Sequence, residues 1–477
     1  MTNPTLFRNP DQLDFSVFME RIRELMQSGY SPLHYFGSDE RLLYALLGKN
    51  GDTQFLCSAF PPSNEYSALT VDFPAFSMFE RLLYEDYGIR AWGHPQLKVL
   101  KAFTDDHADH HDYLFLASES SALHEVGVGP VHAGVIEPGH FRFICRGEIV
   151  EHLEIKLGYQ HRGVERLMLQ GDIRTKNCLA ESIAGDTSIG HALAWCLVLE
   201  GLTGTKAAAF HTRMVALELE RIAMHLSVLS ALSADVAYIM GQNMFAALRT
   251  TVINSSLAIC GSRFGKRWLT PGGVHYGISK DQVDILNKTI AEVRIQVTDC
   301  CEALFKSSSV LSRFDDTGIL KTQDALALGL TGITAKSSGV FTDARMDYPL
   351  SDEISFTALC ENSGDVWARA HLRYREIIQS LDLVARYLER HDPSAVLCVP
   401  LEDFQPDSIA CGFVEGYRGR IVHVCKTDPA GKPLWYKIVD PSFTNWQALA
   451  LVMRNGQISD FPICNKSFDL SYSGSDL

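Results

Sequence analysis

The chain has 477 residues, of which 46% are hydrophobic and 21% charged, and a formal net charge of −14. That length exceeds one ordinary core and predicts two or three domains of a soluble globular protein, while the acidic balance excludes nucleic acid as a natural partner. No secretory signal opens it, no run of about eighteen uncharged apolar residues predicts a membrane span, and none of its twelve cysteines forms a C-x-x-C pair, so zinc or iron–sulfur ligation by this chain alone is not expected.

In chain order, "DQLDFSVFMERIRELMQSG" (11–29) has helical periodicity and stops at Gly29. "TQFLCSAF" (53–60) and "YSALTVDF" (66–73) predict strands. "FERLLYEDYGIRAWGHPQL" (79–97) predicts an amphipathic helix that breaks at Gly88 and runs into a Gly-His-Pro turn. Residues 1–102 therefore form a small α+β domain. The polar, acidic stretch "FTDDHADHHDY" opens a linker over 103–119. Its histidines lack an apolar frame that would hold metal ligands rigid.

A larger domain spans 120–477. "HFRFICRGEIVEHLEIKLGY" (140–159) alternates around Arg146-Gly147 and predicts a β-hairpin, with Phe141, Phe143 and Cys145 on one face. In "RMVALELERIAMHLSVLSAL" (213–232), Val215, Leu219, Ile222, Leu226 and Leu229 make an apolar stripe, and Glu218, Arg221 and His225 line another face. A second stripe runs along 365–391, from Trp367 to Leu388. Helices this regular predict a bundle. The fold class is a multidomain α+β protein, its second domain mainly helical and opening with a hairpin.

No phosphate-binding loop, dinucleotide fingerprint or nucleophile elbow occurs. The segment richest in chemistry is "GVGPVHAGVIEPGHFRF" (127–143), where glycines and prolines surround His132, Glu137 and His140. A loop of this composition brings backbone close to a partner and holds polar groups in place.

With "GYQHRGVERL" (158–167), "ELERIAMHL" (218–226), "PGGV" (271–274) and "SSGVFTDARMDYP" (337–349), that loop closely resembles the large subunit of membrane-bound nickel–iron hydrogenases of the formate-hydrogenlyase type. It also resembles the homologous quinone-site subunit of respiratory complex I. Residues 79–97 look like the signature of the small complex I subunit that is fused in front of the large one in the formate-hydrogenlyase type. The resemblance thus covers nearly the whole chain.

In such hydrogenases four cysteines hold nickel, two in an early R-x-C-G-x-C motif and two in a C-terminal D-P-C-x-x-C. The early motif aligns with "ESIAGDTSIGH" (181–191) and the late one with "DLSYSGSDL" (469–477), so the four positions are Ala184, Thr187, Ser471 and Gly474. Two of these have no donor atom, and neutral hydroxyls replace thiolates poorly, so neither a nickel site nor hydrogen activation by this chain is expected. In complex I the corresponding cavity binds a quinone head group. The loop position best matching its quinone-contacting histidine is Pro138 here, and Ile183 and Ala184 stand near its tyrosine. A quinone is admitted as a ligand without support residue by residue.

Asp235 matches a buried acid that the family implicates in coupling redox chemistry to proton movement; held among apolar helices, it should bind its proton tightly. Lys336 stands where the family often has arginine. "VEGYRGRI" (414–421) resembles the family's E-x-P-R-G with Tyr417 in place of proline, and Glu415 and Arg418 are candidates for a pair near the cavity. The substrate-binding candidates are thus His132, Glu137, His140, His225, Asp235, Glu415 and Arg418.

The resemblance implies a redox-coupling subunit, peripheral on the cytoplasmic face of the cell membrane, joining electron transfer to proton or ion movement. Iron–sulfur clusters would reside in partners: an iron–sulfur small subunit and a ferredoxin-like subunit, beside membrane-arm subunits of the complex I or antiporter type. The alternative is a non-catalytic scaffold joining a peripheral arm to the membrane subunits. The departures at Pro138, Ala184, Lys336 and Tyr417 favour the scaffold; the retained polar loop and Asp235 favour the redox subunit.

Overall fold

A computed structural model describes residues 5–8, 10–101, 113–118, 120–132, 136–351 and 354–477; most of the acidic stretch at 103–113 lies outside the described residues. The first unit is an α/β layer. The helix Phe15–Gln27 buries Phe18, Met19, Ile22 and Leu25 along one stripe. It ends before Gly29, whose φ of +89° suits a residue without a Cβ. The helix covers a sheet ordered Gln12–Leu13, Asp52–Ala59, Leu42–Lys49, Ser31–Gly37.

One local prediction is corrected here. Only Tyr66 and Ser67 of the expected 66–73 strand are extended, as the end of the strand Glu65–Ser67, and Leu69–Val71 is a 3₁₀ turn. The buried Glu80 carboxylate accepts bonds from the Leu69 and Thr70 amides at 2.7 and 3.2 Å and from the Thr70 hydroxyl at 2.6 Å, which draws that backbone out of any ladder. The next predicted helix breaks at Gly88 as expected: it spans Ser77–Tyr87 with Gly88 as its cap, and Arg90–Trp92 then pairs in parallel with Glu65–Ser67.

In the second unit the predicted hairpin is His140–Arg146 with Ile149–Lys156, and His124–Val128 adds a third strand. Phe141, Phe143 and Cys145 are buried; Phe143 lies opposite Leu153 and Cys145 opposite Val150. The helices Ser188–Thr203, Phe210–Asp235, Ile239–Cys260, Lys280–Leu304 and Val366–Glu389 form the bundle. Ser188–Thr203 is buried all round, and Glu218, Arg221 and His225 of the next helix are buried with its apolar stripe, not on a separate wet face.

A four-stranded antiparallel sheet, unanticipated from the sequence, closes the molecule: Thr5–Arg8, Ser408–Gly416, Gly419–Thr427, Pro433–Val439. Its first strand comes from the other end of the chain and pairs Thr5–Arg8 with Cys411–Ser408. Gly412 lets the sheet lie directly on the Ser188–Thr203 helix, since a Cβ there would meet the Ala194 carbonyl oxygen at 2.5 Å. The other face packs on the N-terminal sheet: Trp435 meets Phe36 and Tyr44 at ring distances of 5.0 and 5.2 Å. The two units therefore share a core. Among the described residues no helix is long and apolar enough to cross a membrane.

Trp435→Ala removes the aromatic body that joins the two sheets and is expected to destabilise the chain by about 3–5 kcal/mol. Chemical denaturation should show one transition moving for both units. Movement of only one of two separate transitions would show that the units do not share a core.

Candidate functional site

The Ser408–Gly416 and Gly419–Thr427 strands are joined by the two-residue turn Tyr417–Arg418, with Gly416 paired to Gly419. This turn delivers both side chains to the early and late segments. Arg418 donates to the two carboxylate oxygens of Asp186 at 2.6 and 2.7 Å and to the Thr187 hydroxyl at 3.3 Å. Its Nε donates to the Asp469 carbonyl, and its guanidinium lies 3.5 Å from the Asp469 carboxylate. Segments 186–187 and 469 thus meet on one arginine whose planar fork suits two carboxylates. Asp186 and Asp469 keep 37% and 35% side-chain exposure, so the cluster opens to one side, while Arg418 is buried.

Tyr417 adds a proton constraint. Its hydroxyl lies 2.9 Å from an Asp186 oxygen and 2.8 Å from an Asp469 oxygen. A phenol donates one hydrogen bond, so both contacts are satisfied when one carboxylate carries a proton and donates to the phenol oxygen. Burial pushes Asp186 up, but Arg418 outweighs it and holds that acid at about 2. Burial raises Asp469 despite Arg418. Of the two acids, Asp469 is therefore the readier to take a proton.

The four positions matching the hydrogenase cysteines border this cluster. Ala184 is a buried methyl. Thr187 is engaged by Arg418 and lies 3.2 Å from Asp186. The Ser471 hydroxyl caps the Tyr472–Ser475 helix by accepting from the Gly474 amide at 2.9 Å. A Cβ on Gly474 would stand 2.7–2.9 Å from the Asp440 carboxylate. Among the described residues, no group of three or more His, Cys, Asp or Glu side chains is arranged to hold a metal ion.

Behind the cluster lies a buried charge network. The His225 ring lies edge-on to Tyr417 at 5.8 Å. Arg373 donates to His225 Nδ1 at 3.2 Å, so Nε2 carries the hydrogen and donates to Glu376 at 3.1 Å. Lys336 stands among Glu376 at 2.5 Å, Asp343 at 3.0 Å and Glu415 at 3.5 Å. Arg345 grips Asp343 through two bonds of 2.9 Å and faces Glu218 at 3.5 Å; Arg221 bonds Glu218 at 3.1 Å. All of these side chains are largely withdrawn from water. Burial pushes His225 down to about 3. Burial and then Asp343 push Glu415 up to about 7, against Lys336 and Arg345. Burial opposes ionisation of Glu376 as well, but Lys336 and His225 hold it well below the usual carboxylate range.

The structure separates the predicted site residues. Glu415 and Arg418 do not pair: adjacent to the turn, they point to different partners, Lys336 and the Ala344 amide for one and the two aspartates for the other. His132 bonds the Gly139 carbonyl at 2.9 Å and His140 the Gly129 carbonyl at 3.2 Å, so both fasten their own loop. Glu137 accepts from the Tyr472 and Ser473 amides at 3.3 and 3.2 Å and ties the loop to the C-terminal segment. Asp235 ends its helix with its side chain 15% exposed, one carboxylate oxygen paired with Lys466 and the other buried without a hydrogen-bond partner. Asp186, Asp343, Glu376, Arg373 and Asp469 were not singled out from sequence. A signal existed in Arg373 and Glu376, opposite charges three apart on one face of the helix Val366–Glu389.

Residues 235–401 and 401–476, half of the chain, match the family described as the respiratory-chain NADH dehydrogenase, 49 Kd subunit. The chain is 28% identical to the carbon monoxide-induced hydrogenase of Rhodospirillum rubrum over 73% of this chain and 98% of that one. It is 26% identical to hydrogenase-4 component G of Escherichia coli, over 98% and 89% of the two chains. In fold it resembles a chain of the membrane-bound sulfane sulfur reductase, an archaeal respiratory membrane complex, with a TM-score of 0.70 at 22% identity, over 76% of this chain and all of that one. By its matched residues, the chain belongs to the family of the 49 Kd subunit of respiratory-chain NADH dehydrogenase.

Proposed function

We propose that this chain is the coupling subunit of a membrane-associated redox complex, without a nickel–iron centre, in which charge arriving at the Asp186–Arg418–Asp469 cluster moves a proton on Asp469 and, through the buried network, on Glu415. The observation that carries this reading is the run of contacts from Asp469 to the Tyr417 hydroxyl, from the Tyr417 ring edge-on to His225, and then by hydrogen bond and ion pair through Glu376 and Lys336 to Glu415. Among its buried members a change of one charge shifts the proton affinity of the next.

The residues do not fit a thiolate-held metal. Two of the four positions lack donors, Ser471 is spent as a cap, and the Asp440 carboxylate crowds the space a cysteine at 474 would need. Electrons would come from an iron–sulfur partner and leave to a quinone or a related acceptor at the open side of the cluster. Partners would be the iron–sulfur small subunit, a ferredoxin-like subunit and membrane-arm subunits, placing the chain on the inner face of the cell membrane.

The direct test uses the whole complex purified from membranes, with a low-potential donor. We expect quinone reduction with proton uptake and no hydrogen evolution. Asp469→Asn should slow reduction tenfold or more while the complex still assembles. Hydrogen evolution in proportion to bound nickel would overturn the reading. Full assembly with no acceptor reduced, and no effect of Asp469→Asn, would leave the chain a scaffold.

Glu415 also predicts a pH dependence of stability. Its folded-state affinity for a proton is raised, so its contribution is fully present below the ordinary carboxylate range and is lost as pH rises through about 7. Glu415→Gln should remove that decline from the wild-type profile between roughly pH 4.5 and 7, as measured by thermal unfolding. An unchanged profile would contradict the assignment.

A further inference from the structure

Beside the charge network, four buried groups outside it are strung through the core. Asp440 caps the Pro441–Val452 helix, accepting from the Ser442 amide at 2.7 Å. Its other oxygen meets His191 Nε2 at 3.0 Å. His191 Nδ1 faces His423 Nε2 at 3.0 Å, and His423 Nδ1 faces the Tyr436 hydroxyl at 2.7 Å. Their elements are a helix start, two adjacent strands and a helix cap, and all four side chains are essentially without solvent contact. One end of the string lies under residue 474, beside the site.

The chemistry of the four groups fixes how protons sit on them. An ionised Asp440 only accepts, so His191 Nε2 must carry hydrogen. In a neutral ring Nδ1 then accepts, so His423 donates from Nε2, its Nδ1 accepts, and Tyr436 donates. Every donor points toward Asp440. No other neutral arrangement satisfies all three contacts while Asp440 stays ionised.

We propose that Tyr436, His423 and His191 form a one-proton relay that places a positive charge against Asp440 when the neighbouring site becomes more negative; this deepens the coupling function proposed above and rests on it for its purpose. A proton arriving at the Tyr436 oxygen releases the hydroxyl hydrogen to His423 Nδ1. The His423 Nε2 hydrogen passes to His191 Nδ1. His191 becomes an imidazolium between Asp440 and His423, His423 ends as the Nδ1–H tautomer, and Tyr436 keeps the incoming proton. One O–H and one N–H bond break, one O–H and two N–H bonds form, the net gain is the single incoming proton, and no electron moves.

The surroundings agree. Facing Asp440 are His191 and Arg418, which hold its carboxyl below the usual range against the effect of burial. Facing Tyr436 are Cys425, Cys196 and Glu165, and burial raises its hydroxyl. Burial and His191 keep His423 well below the ordinary imidazole range. The middle and the outer end of the string are therefore neutral at rest, and His191 is the ring that touches the carboxylate.

The test is infrared spectroscopy of the full complex with ¹⁵N-labelled histidine, titrated with acid and needing no electron acceptor. We expect the uptake of one proton to change two histidine ring signatures together: one to imidazolium, one from the Nε2–H to the Nδ1–H tautomer. His191→Gln should abolish both changes. Tyr436→Phe, which keeps the ring and its packing, should leave the end state intact and slow the change tenfold or more after a pH jump. Independent titration of the two rings, or an unaltered rate in Tyr436→Phe, overturns the relay. Failure of acceptor reduction in the wild type would instead remove the redox reading and leave this result standing.

Discussion

Arg418 is the residue on which the arrangement depends. Its guanidinium is buried, and an unpaired buried charge is untenable, so partners must be brought to it. They come from opposite ends of the second unit: Asp186 from the segment before the buried helix and Asp469 from the C-terminal segment. The same contact closes the molecule and defines the candidate site. A two-residue turn between long strands holds Arg418 rigidly, and that turn in turn rests on a sheet whose far face belongs to the N-terminal unit's core.

The second consequence is electrostatic. In nickel–iron hydrogenases of the type this sequence resembles, the space between these segments serves a metal held by sulfur. Here two carboxylates, an arginine and a tyrosine hydroxyl meet between the matching segments, and under the proposed function they would handle protons. Tyr417 illustrates the exchange. At a position where the family has proline, it supplies a hydroxyl that links two acids. Lys336 illustrates it again. Its ammonium balances Asp343, Glu376 and Glu415 at the heart of the network, so the substitution for arginine keeps a cation and its pairing.

Much of this could be read from the residues. The alternation of Phe141, Phe143 and Cys145 marked the hairpin because a half-buried strand repeats every two residues. The stripe from Trp367 to Leu388 marked a helix because its period is 3.6. The family frame followed from long motifs in order, and with it the four altered positions. What stayed hidden was non-local. Nothing in "TLFR" at 5–8 announces a partner four hundred residues away. Strand Ser408–Gly416 is buried on both faces and lacks alternation, so it does not advertise itself as a sheet. Glu415 and Arg418 stand three apart and of opposite sign, yet a turn between them sends each to different partners. Asp235 is mostly withdrawn from water, as its apolar helix suggested; that Lys466 comes within reach of it depends on how the bundle ends.

The central claim is that an ion cluster built on Arg418 stands where the family's metal chemistry would be. High-resolution cryo-electron microscopy of the assembled complex, focused between residues 184–187 and 469–474, tests it most directly. The account predicts continuous density forking from Arg418 to Asp186 and Asp469, with Tyr417 bridging the two acids and no metal peak. A metal ion bound between those segments, with Arg418 turned away from the aspartates, would contradict it.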